Sequence, residues 1–127
     1  MKVLLDTHIF INLLNKSGNL DERMIRIVDN KTTKKHISIG SIWEIIIKIN
    51  IGKLKTTGDF QYIYNQLERL NIQIISIKPY HLKTYLTLPL LHRDPFDRLI
   101  ISQAMSEGLT LVTDDAHIKS YPSLNLL

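Results

Sequence analysis

Short apolar runs alternate with segments of helical periodicity along this chain. Runs typical of strands occupy residues 2–5, 36–39, 72–77 and 109–113, and residues 124–127 are a candidate edge strand. Apolar residues at helical spacing, with start and stop signals, predict helices over 8–14, 41–51, 59–70, 79–87 and 95–107. A further helix is predicted to start in the 19–22 segment and to end near residue 28, and a short one to end near residue 121. This alternation predicts a three-layer α/β/α sandwich around a central, mostly parallel sheet of four to five strands.

Local capping signals predict where several helices begin. Thr7 is expected to cap the first helix, and residues 19–22 and 41–44 have the pattern of capping boxes. The clearest start is in the 92–98 segment, where Asp94 is expected at the N-cap, Pro95 at the first helical position and Asp97 at the third. Helix capping alone is a sufficient explanation for Asp94 and Asp97 when they are considered in isolation.

Composition limits the chemistry available. The chain has 127 residues, which predicts a single domain over 1–127, and it has no cysteine, which excludes disulfides, zinc–thiolate sites and cysteine nucleophiles. Its apolar runs are too short for a membrane span or a signal-peptide core, so a cytoplasmic protein without membrane association is expected. Sixteen Lys and Arg against twelve Asp and Glu give a formal charge of +4, a mild indication of a polyanionic partner.

Acidic residues stand where the predicted strands end and the helices begin. Asp6 ends the first strand, Glu44 follows the second, Asp97 opens the helix before the fourth, and Asp114 and Asp115 follow that strand. Right-handed crossovers bring these positions toward one edge of a parallel sheet, where ligands of such folds bind. Clustered carboxylates repel one another unless a cation or a raised pKa relieves the repulsion. Oxygen donors without cysteine favour Mg²⁺ or Mn²⁺.

Four segments together resemble a known family: LLDTHIFINLL, SIWEIIIKINIGKL, LLHRDPFDRLIISQA and GLTLVTDDA. In order and spacing they are similar to the PIN-domain ribonucleases, and most similar to the VapC-type toxins of type II toxin–antitoxin systems. The resemblance extends over essentially the whole chain. It implies a PIN-like fold and a Mg²⁺-dependent endoribonuclease in which water attacks the phosphodiester and a 3′-hydroxyl is left.

The resemblance also implies roles for particular residues. Asp6, Asp97 and Asp115 would hold the metal ion, and Glu44 would orient or deprotonate the attacking water. The fourth acid follows a Thr-x-Asp pattern that points to Asp115, although an exchange of roles with Asp114 stays open. Supporting positions are Thr7, Asp94, Thr113 and Asp114, with Asp94 kept mainly as the helix cap.

Basic and histidine side chains have weaker signals. Candidates for contact with the RNA backbone are Arg98, Lys48, Lys53 and Lys55, for each of which solvated surface charge is an equal alternative. The isolated histidines have no metal-ligand spacing among themselves and are interpreted as surface or packing residues: His8, His81, His92 and His117. Trp43 could stack on a base, but it is interpreted as a core or interface residue.

Partners are implied by the resemblance alone. They are an RNA substrate, a cognate antitoxin protein and a second copy of the chain in a homodimer, with the apolar helices over 8–14, 20–28 and 60–70 as the surfaces for protein partners. A receiver-type phosphoacceptor domain is excluded, since the first strand ends in a single acid and the third in Ser76, Ile77 and Lys78. A catalytically silent PIN fold that binds RNA or protein stays as the alternative.

Overall fold

A parallel four-stranded sheet forms the centre of the described part of the chain. The computed structural model describes residues 1–15, 21–55, 60–122 and 124–127. Its strands are β1 (Lys2–Leu5), β2 (Lys34–Ser38), β3 (Ile72–Ile75) and β4 (Thr110–Val112), in the order β3-β2-β1-β4. Leu5 is level with Ile37 of β2 and Val112 of β4. The carboxyl ends of these strands therefore meet at one edge, where residues that follow them are neighbours.

Helices cover both faces of this sheet. They are α1 (Thr7–Leu14), α2 (Glu22–Asp29), α3 (Ile39–Asn50), α4 (Phe60–Arg69), α5 (Pro79–Thr87), α6 (Pro95–Glu107) and α7 (Ala116–Lys119). Val3 and Leu5 of β1 belong to a core cluster with residues of α1 to α4. Leu4 points the other way, into a second cluster built largely from α6 and the segments around β4. The predicted three-layer α/β/α sandwich with a parallel sheet is confirmed.

Helix α6 begins and ends as its sequence predicts. Asp94 is the N-cap, and its Oδ1 accepts from the backbone N–H groups of Phe96 (2.9 Å) and Asp97 (3.2 Å). Gly108 ends the helix in the left-handed region, with φ of 65°. The start of α6 packs closely on α3, because a Cβ added to Gly40 would lie 2.5 Å from Leu99 Cδ2. A glycine at position 40 thus lets these two helices approach.

Two predicted helix starts are wrong. Helix α3 begins at Ile39, capped by Ser38, whose hydroxyl accepts from Gly40 N at 3.0 Å, and Ser41 lies inside the helix. Helix α1 begins at Thr7, with Asp6 at the N-cap position and no side-chain cap bond. The hydroxyls of Thr7 and Ser41 are used elsewhere, in a bond to each other. The two hydroxyls predicted to cap helices therefore make a tertiary contact instead.

Other boundaries differ by a few residues. Strand β2 begins at Lys34 rather than 36, β3 ends at Ile75 rather than 77, and residues near the C-terminus form an isolated bridge, Leu111 to Leu126, instead of a full edge strand. Helix α2 begins at Glu22, capped by Asp21, whereas residues 19 and 20 of its predicted capping box, and residue 59 before α4, lie outside the described residues. No helix in the described ranges has the length and apolar character needed to cross a membrane.

Candidate metal and catalytic site

Asp6 lies at the centre of the carboxyl edge of the sheet. It directly follows β1, its backbone N–H donates to Val112 O at 3.0 Å, and its side chain is 0% exposed. The pKa of this carboxyl is raised from 3.8 to about 6, mainly by burial and partly by the charge of Asp97, against the lowering effect of a hydrogen bond from Thr113. The Oδ1 atom of Asp6 is buried without a hydrogen-bond partner among the described residues.

Thr113 connects the ends of β1 and β4. Its hydroxyl donates to Asp6 Oδ2 at 2.8 Å and accepts from the backbone N–H of Asp115 at 3.1 Å. Asp115 is the N-cap of α7, where its Oδ1 accepts from His117 N (2.8 Å) and Ile118 N (3.3 Å). Asp114 is exposed, in contrast to the partly buried Asp115. Of the two acids, Asp115 is the one that this hydrogen-bond chain joins to Asp6.

Asp97 lies in the first turn of α6 and is 5% exposed. Burial raises the pKa of its carboxyl, as do the charges of Asp94 and Glu44, while His92 opposes this shift. His92 Nε2 lies 2.7 Å from Asp97 Oδ2. With Asp97 ionised, the geometry is that of an imidazole N–H donating to the carboxylate. Because Asp97 Oδ2 is bonded to His92, this oxygen does not complete a capping box at the start of α6.

Glu44 points inward from α3. It is 6% exposed, its Oε2 lies 3.3 Å from Lys48 Nζ, and its Oε1 is buried with no hydrogen-bond partner in the described part of the chain. Its charge contributes to the raised pKa of Asp97. Glu44 is therefore a buried acid rather than a solvated surface one, although it pairs with Lys48 on the next turn of α3. Beside it, Thr7 Oγ1 donates to Ser41 Oγ at 2.8 Å, and both side chains are fully buried.

The donor set of this edge fits a hard divalent cation. Asp6, Glu44 and Asp97 are buried carboxylates. The charge of Asp97 raises the pKa of Asp6, the charge of Glu44 raises the pKa of Asp97, and Asp6 and Glu44 each present an oxygen with no described partner. A buried, unpaired carboxylate oxygen is costly, and a cation relieves both the missing bond and the mutual repulsion. Oxygen donors of this kind bind Mg²⁺ or Mn²⁺.

His92 is the residue of the site that sequence reasoning missed. Within the described residues, His92, Asp94 and Asp97 each offer a ligand atom, and these atoms lie within 4.8 Å of one another; the trio Asp6, Asp97 and Asp115 is not gathered so tightly. His92 also stacks on His117, with ring centroids 5.2 Å apart. Its bond to Asp97 gives His92 a role that the interpretation as a surface or packing residue did not include. The signal available was its place two residues before the Asp94 cap.

Arg98 is not placed to contact a nucleic acid. It is 5% exposed, and its guanidinium donates to Pro89 O (3.0 Å), Tyr121 Oη (3.3 Å) and Tyr85 O (3.4 Å). The guanidinium carbon also lies 4.8 Å from the centroid of the Tyr85 ring. The expectation of an RNA contact is corrected: Arg98 fastens α6 to the 85–92 segment and to Tyr121.

The remaining basic and histidine candidates lie around or away from the carboxylates. Lys48 is partly buried against Glu44, and Lys53 and Lys55 are exposed after α3, with no described contact to the acids.

His8 is exposed beside Asp6 and lowers its pKa slightly. His81 is a packing residue, 1% exposed, with Nδ1 accepting from Lys78 N (2.9 Å) and Nε2 3.1 Å from Glu107. Trp43 is exposed and packs edge-on against Phe96, with ring centroids 5.3 Å apart.

Solved structures with the same fold include toxin–antitoxin complexes. The chain is similar to a chain of VapBC2 from Rickettsia felis bound to a DNA fragment from their promoter, with a TM-score of 0.74 and 24% identity over 100% of this chain and 98% of the other. For VapBC-1 from nontypeable Haemophilus influenzae the TM-score is 0.67 at 19% identity, over 100% and 97%. A toxin–antitoxin complex from Klebsiella pneumoniae gives 0.65 at 17%, over 98% and 95%.

The comparison with protein families agrees with the fold. The PIN domain family matches residues 3–124, which extends from β1 to the bridge at the C-terminus. A search of curated proteins finds no match. Since the family match includes nearly the whole chain and all the acids described above, this chain belongs to the PIN domain family.

Proposed function

We propose that this protein is a Mg²⁺-dependent endoribonuclease and the toxin of a toxin–antitoxin pair. The observation that carries the proposal is the set of buried carboxylates Asp6, Glu44 and Asp97, two of which present oxygens without a described partner. Such a group is unfavourable in a protein that only folds and binds, because each buried charge must be compensated. It is favourable when a divalent cation binds there.

Each acid has a distinct place in the proposed chemistry. Asp6, Asp97 and Asp115 would hold Mg²⁺, with Mn²⁺ as a substitute. Bound there, the ion would supply positive charge that favours deprotonation of a water and offsets the charge developing on the phosphate. Glu44 has its Oε1 free of described partners and is assigned the task of orienting or deprotonating the attacking water. Thr113 and His92 hold Asp6 and Asp97 in position.

The capping acids Asp94 and Asp115 enter the proposal differently. Both use Oδ1 to accept from backbone N–H groups at a helix start. A carboxylate keeps a second oxygen with further acceptor capacity, so capping and metal binding are compatible. We assign Asp115 to the ion because Thr113 joins it to Asp6, and we keep Asp94 as the cap that fixes the direction of α6.

Protein partners are part of the same proposal. The solved structures above are toxin–antitoxin complexes, which supports an antitoxin partner here. Exposed apolar side chains are concentrated on α5 and just after it: Leu82 (53% exposed), Leu86 (85%), Leu90 (84%) and Leu91 (50%). We assign this surface to a homodimer. Of the helices that the sequence offered as partner surfaces, α1 is largely buried, whereas Ile25 of α2 and Phe60 of α4 are exposed.

Cleavage of mixed cellular RNA by the purified protein tests the proposal. The protein is assayed with Mg²⁺, with Mn²⁺ and with EDTA, beside Asp6→Asn as the control for contaminating nuclease. We expect metal-dependent cleavage that the variant lacks, and a metal-induced rise in melting temperature that is larger for wild type than for Asp6→Asn. Absence of both effects in folded protein would contradict the proposal and favour a catalytically silent binding module.

A further inference from the structure

A basic cleft lies at the opposite edge of the sheet from the carboxylates. It consists of two adjoining cavities of about 390 Å³ and about 300 Å³, which share Lys31, Lys35 and Asn71 in their walls. One wall is the loop between α2 and β2, and the other is the turn between α4 and β3. The cleft therefore lies at the amino ends of β2 and β3, away from the carboxyl ends where Asp6 and Glu44 lie.

The charges lining the cleft are predominantly positive. The described residues around it include the cations Lys31, Lys34, Lys35 and Arg69 and a single acid, Asp29. Among the described residues, none of the four cations is in an ion pair within 4.0 Å. Lys2 is opposite Lys34 in the register of β1 and β2 and adds a fifth positive charge nearby. Unpaired cations facing one cavity attract an anion.

Lys35 distinguishes the cleft from an ordinary solvated surface. It is 6% exposed, and its ammonium donates to the backbone carbonyl of Val28. That bond engages one of the three N–H donors of a lysine. Burial lowers the pKa of Lys35, and the more distant charge of Asp29 only partly opposes this. An anion in the cleft would supply the negative charge that compensates the buried ammonium of Lys35, which Asp29 compensates only in part.

We propose that this cleft binds phosphate groups, either those of an RNA backbone or inorganic phosphate. The exposed Lys31, Lys34 and Arg69 would contact the anion, with the buried Lys35 as the fixed charge behind them. Strand β2 separates the two edges of the sheet, and the four steps between its first and last residues, at 3.3 Å each, make the distance about 13 Å. An RNA in the cleft is therefore held at a second place, outside the cleavage site. Only the RNA part of this inference rests on the proposed nuclease function.

The test uses the full chain carrying Asp6→Asn, so that bound RNA stays intact. Lys31→Ala with Arg69→Ala removes two cleft cations and leaves the buried Lys35 in place. The matched control, Lys78→Ala with Lys83→Ala, removes the same charge from exposed residues at α5. Far-ultraviolet circular dichroism and melting temperature verify that all the proteins are folded. RNA affinity is measured against salt concentration, and the melting shift caused by inorganic phosphate is measured at constant ionic strength.

We expect the cleft variant to lose most of the phosphate-induced melting shift, and its plot of log affinity against log salt to become shallower by about 1 to 2, while the control keeps both. Loss of the phosphate shift with an unchanged RNA slope would assign the cleft to free phosphate. The same loss in protein that binds no RNA would support the cleft and count against the nuclease. Equal phosphate shifts and equal slopes in the cleft and control variants would overturn the inference.

Discussion

The hydroxyl of Thr113 donates to Asp6 Oδ2 at 2.8 Å, although the two residues are 107 positions apart. The same hydroxyl accepts from Asp115 N at 3.1 Å. One threonine therefore links the acid that ends β1 to the acid that follows β4. Because the hydroxyl has a single proton, its direction is fixed toward Asp6, where it favours the ionised carboxylate.

Replacing Thr113 by Val should raise the pKa of Asp6 above its value of about 6. The change keeps the side-chain shape and removes the donor that opposes the effect of burial. The pKa is measured by carboxyl-carbon NMR titration of the metal-free protein. Thr113→Ser, which keeps the hydroxyl, should leave the pKa near that of wild type. An unchanged pKa in the Val variant would mean that this hydrogen bond does not influence Asp6.

The raised pKa of Asp6 makes the metal-free protein less stable as pH increases. Below 3.8 the carboxyl is protonated in both folded and unfolded chains, so it has no effect; above about 6 the folded state holds a charge that burial disfavours. The full destabilisation is about 3 kcal/mol at neutral pH. Urea unfolding with chelator should therefore find Asp6→Asn more stable than wild type by about that amount at pH 7.5 and by about half at pH 5.

The matched control is Glu68→Gln, which removes an exposed acid from α4. Its stability should follow that of wild type across the same pH range, because an exposed carboxyl keeps its solvation. If Asp6→Asn gained no stability, or gained the same amount at both pH values, burial would not raise the pKa of Asp6 in the folded protein.

Much of the fold follows from local sequence. Pro95, the capping Asp94 and Gly108 define α6 at both ends, and short apolar runs define the strands. The parallel topology then brings the acids that follow β1 and β4 to one edge. Glu44, in the helix that follows β2, and Asp97, in the first turn of the helix that precedes β4, are expected at the same edge, so the acids are predictable as a group.

The failures have a common cause, which is that a long-range contact overrides a local preference. Ser41 has the sequence pattern of a helix cap, but its hydroxyl bonds to Thr7 and Ser38 takes the capping role. Arg98 stands beside the acidic motif, yet its guanidinium is held by Tyr85 and Tyr121. The partners of Arg98 lie 13 and 23 positions away along the chain. Capping patterns and helical periodicity predict contacts only between residues a few positions apart.

The bond between His92 and Asp97 predicts a difference between the two stacked histidines. His92→Phe keeps a ring against His117 but removes the N–H that orients Asp97. Loss of such a supporting bond typically weakens metal affinity by about 10- to 100-fold. His117→Phe keeps that bond and should bind Mn²⁺ within a few-fold of wild type. Calorimetric titration with Mn²⁺ measures both, and equal affinities in the two variants would remove His92 from the site.

Arg98 should affect stability rather than RNA binding. Arg98→Met removes the charge-assisted hydrogen bonds to Pro89, His92, Tyr121 and Tyr85 from a buried site, and we expect a loss of about 3 kcal/mol or more in urea unfolding. The exposed Arg93→Met is the control, with little change in stability. A variant of normal stability with weakened RNA affinity would restore Arg98 as a nucleic-acid contact.

Cleavage in ¹⁸O-labelled water distinguishes hydrolysis of RNA by metal-activated water at the carboxylate edge from attack by the neighbouring 2′-hydroxyl. Attack by water on phosphorus breaks the bond to the 3′-oxygen, so the products should be a 3′-hydroxyl end and a 5′-phosphate that contains one labelled oxygen. Formation should require Mg²⁺ or Mn²⁺ and should be absent in Asp97→Asn. Unlabelled 2′,3′-cyclic phosphate ends, formed equally well in EDTA, would contradict the account.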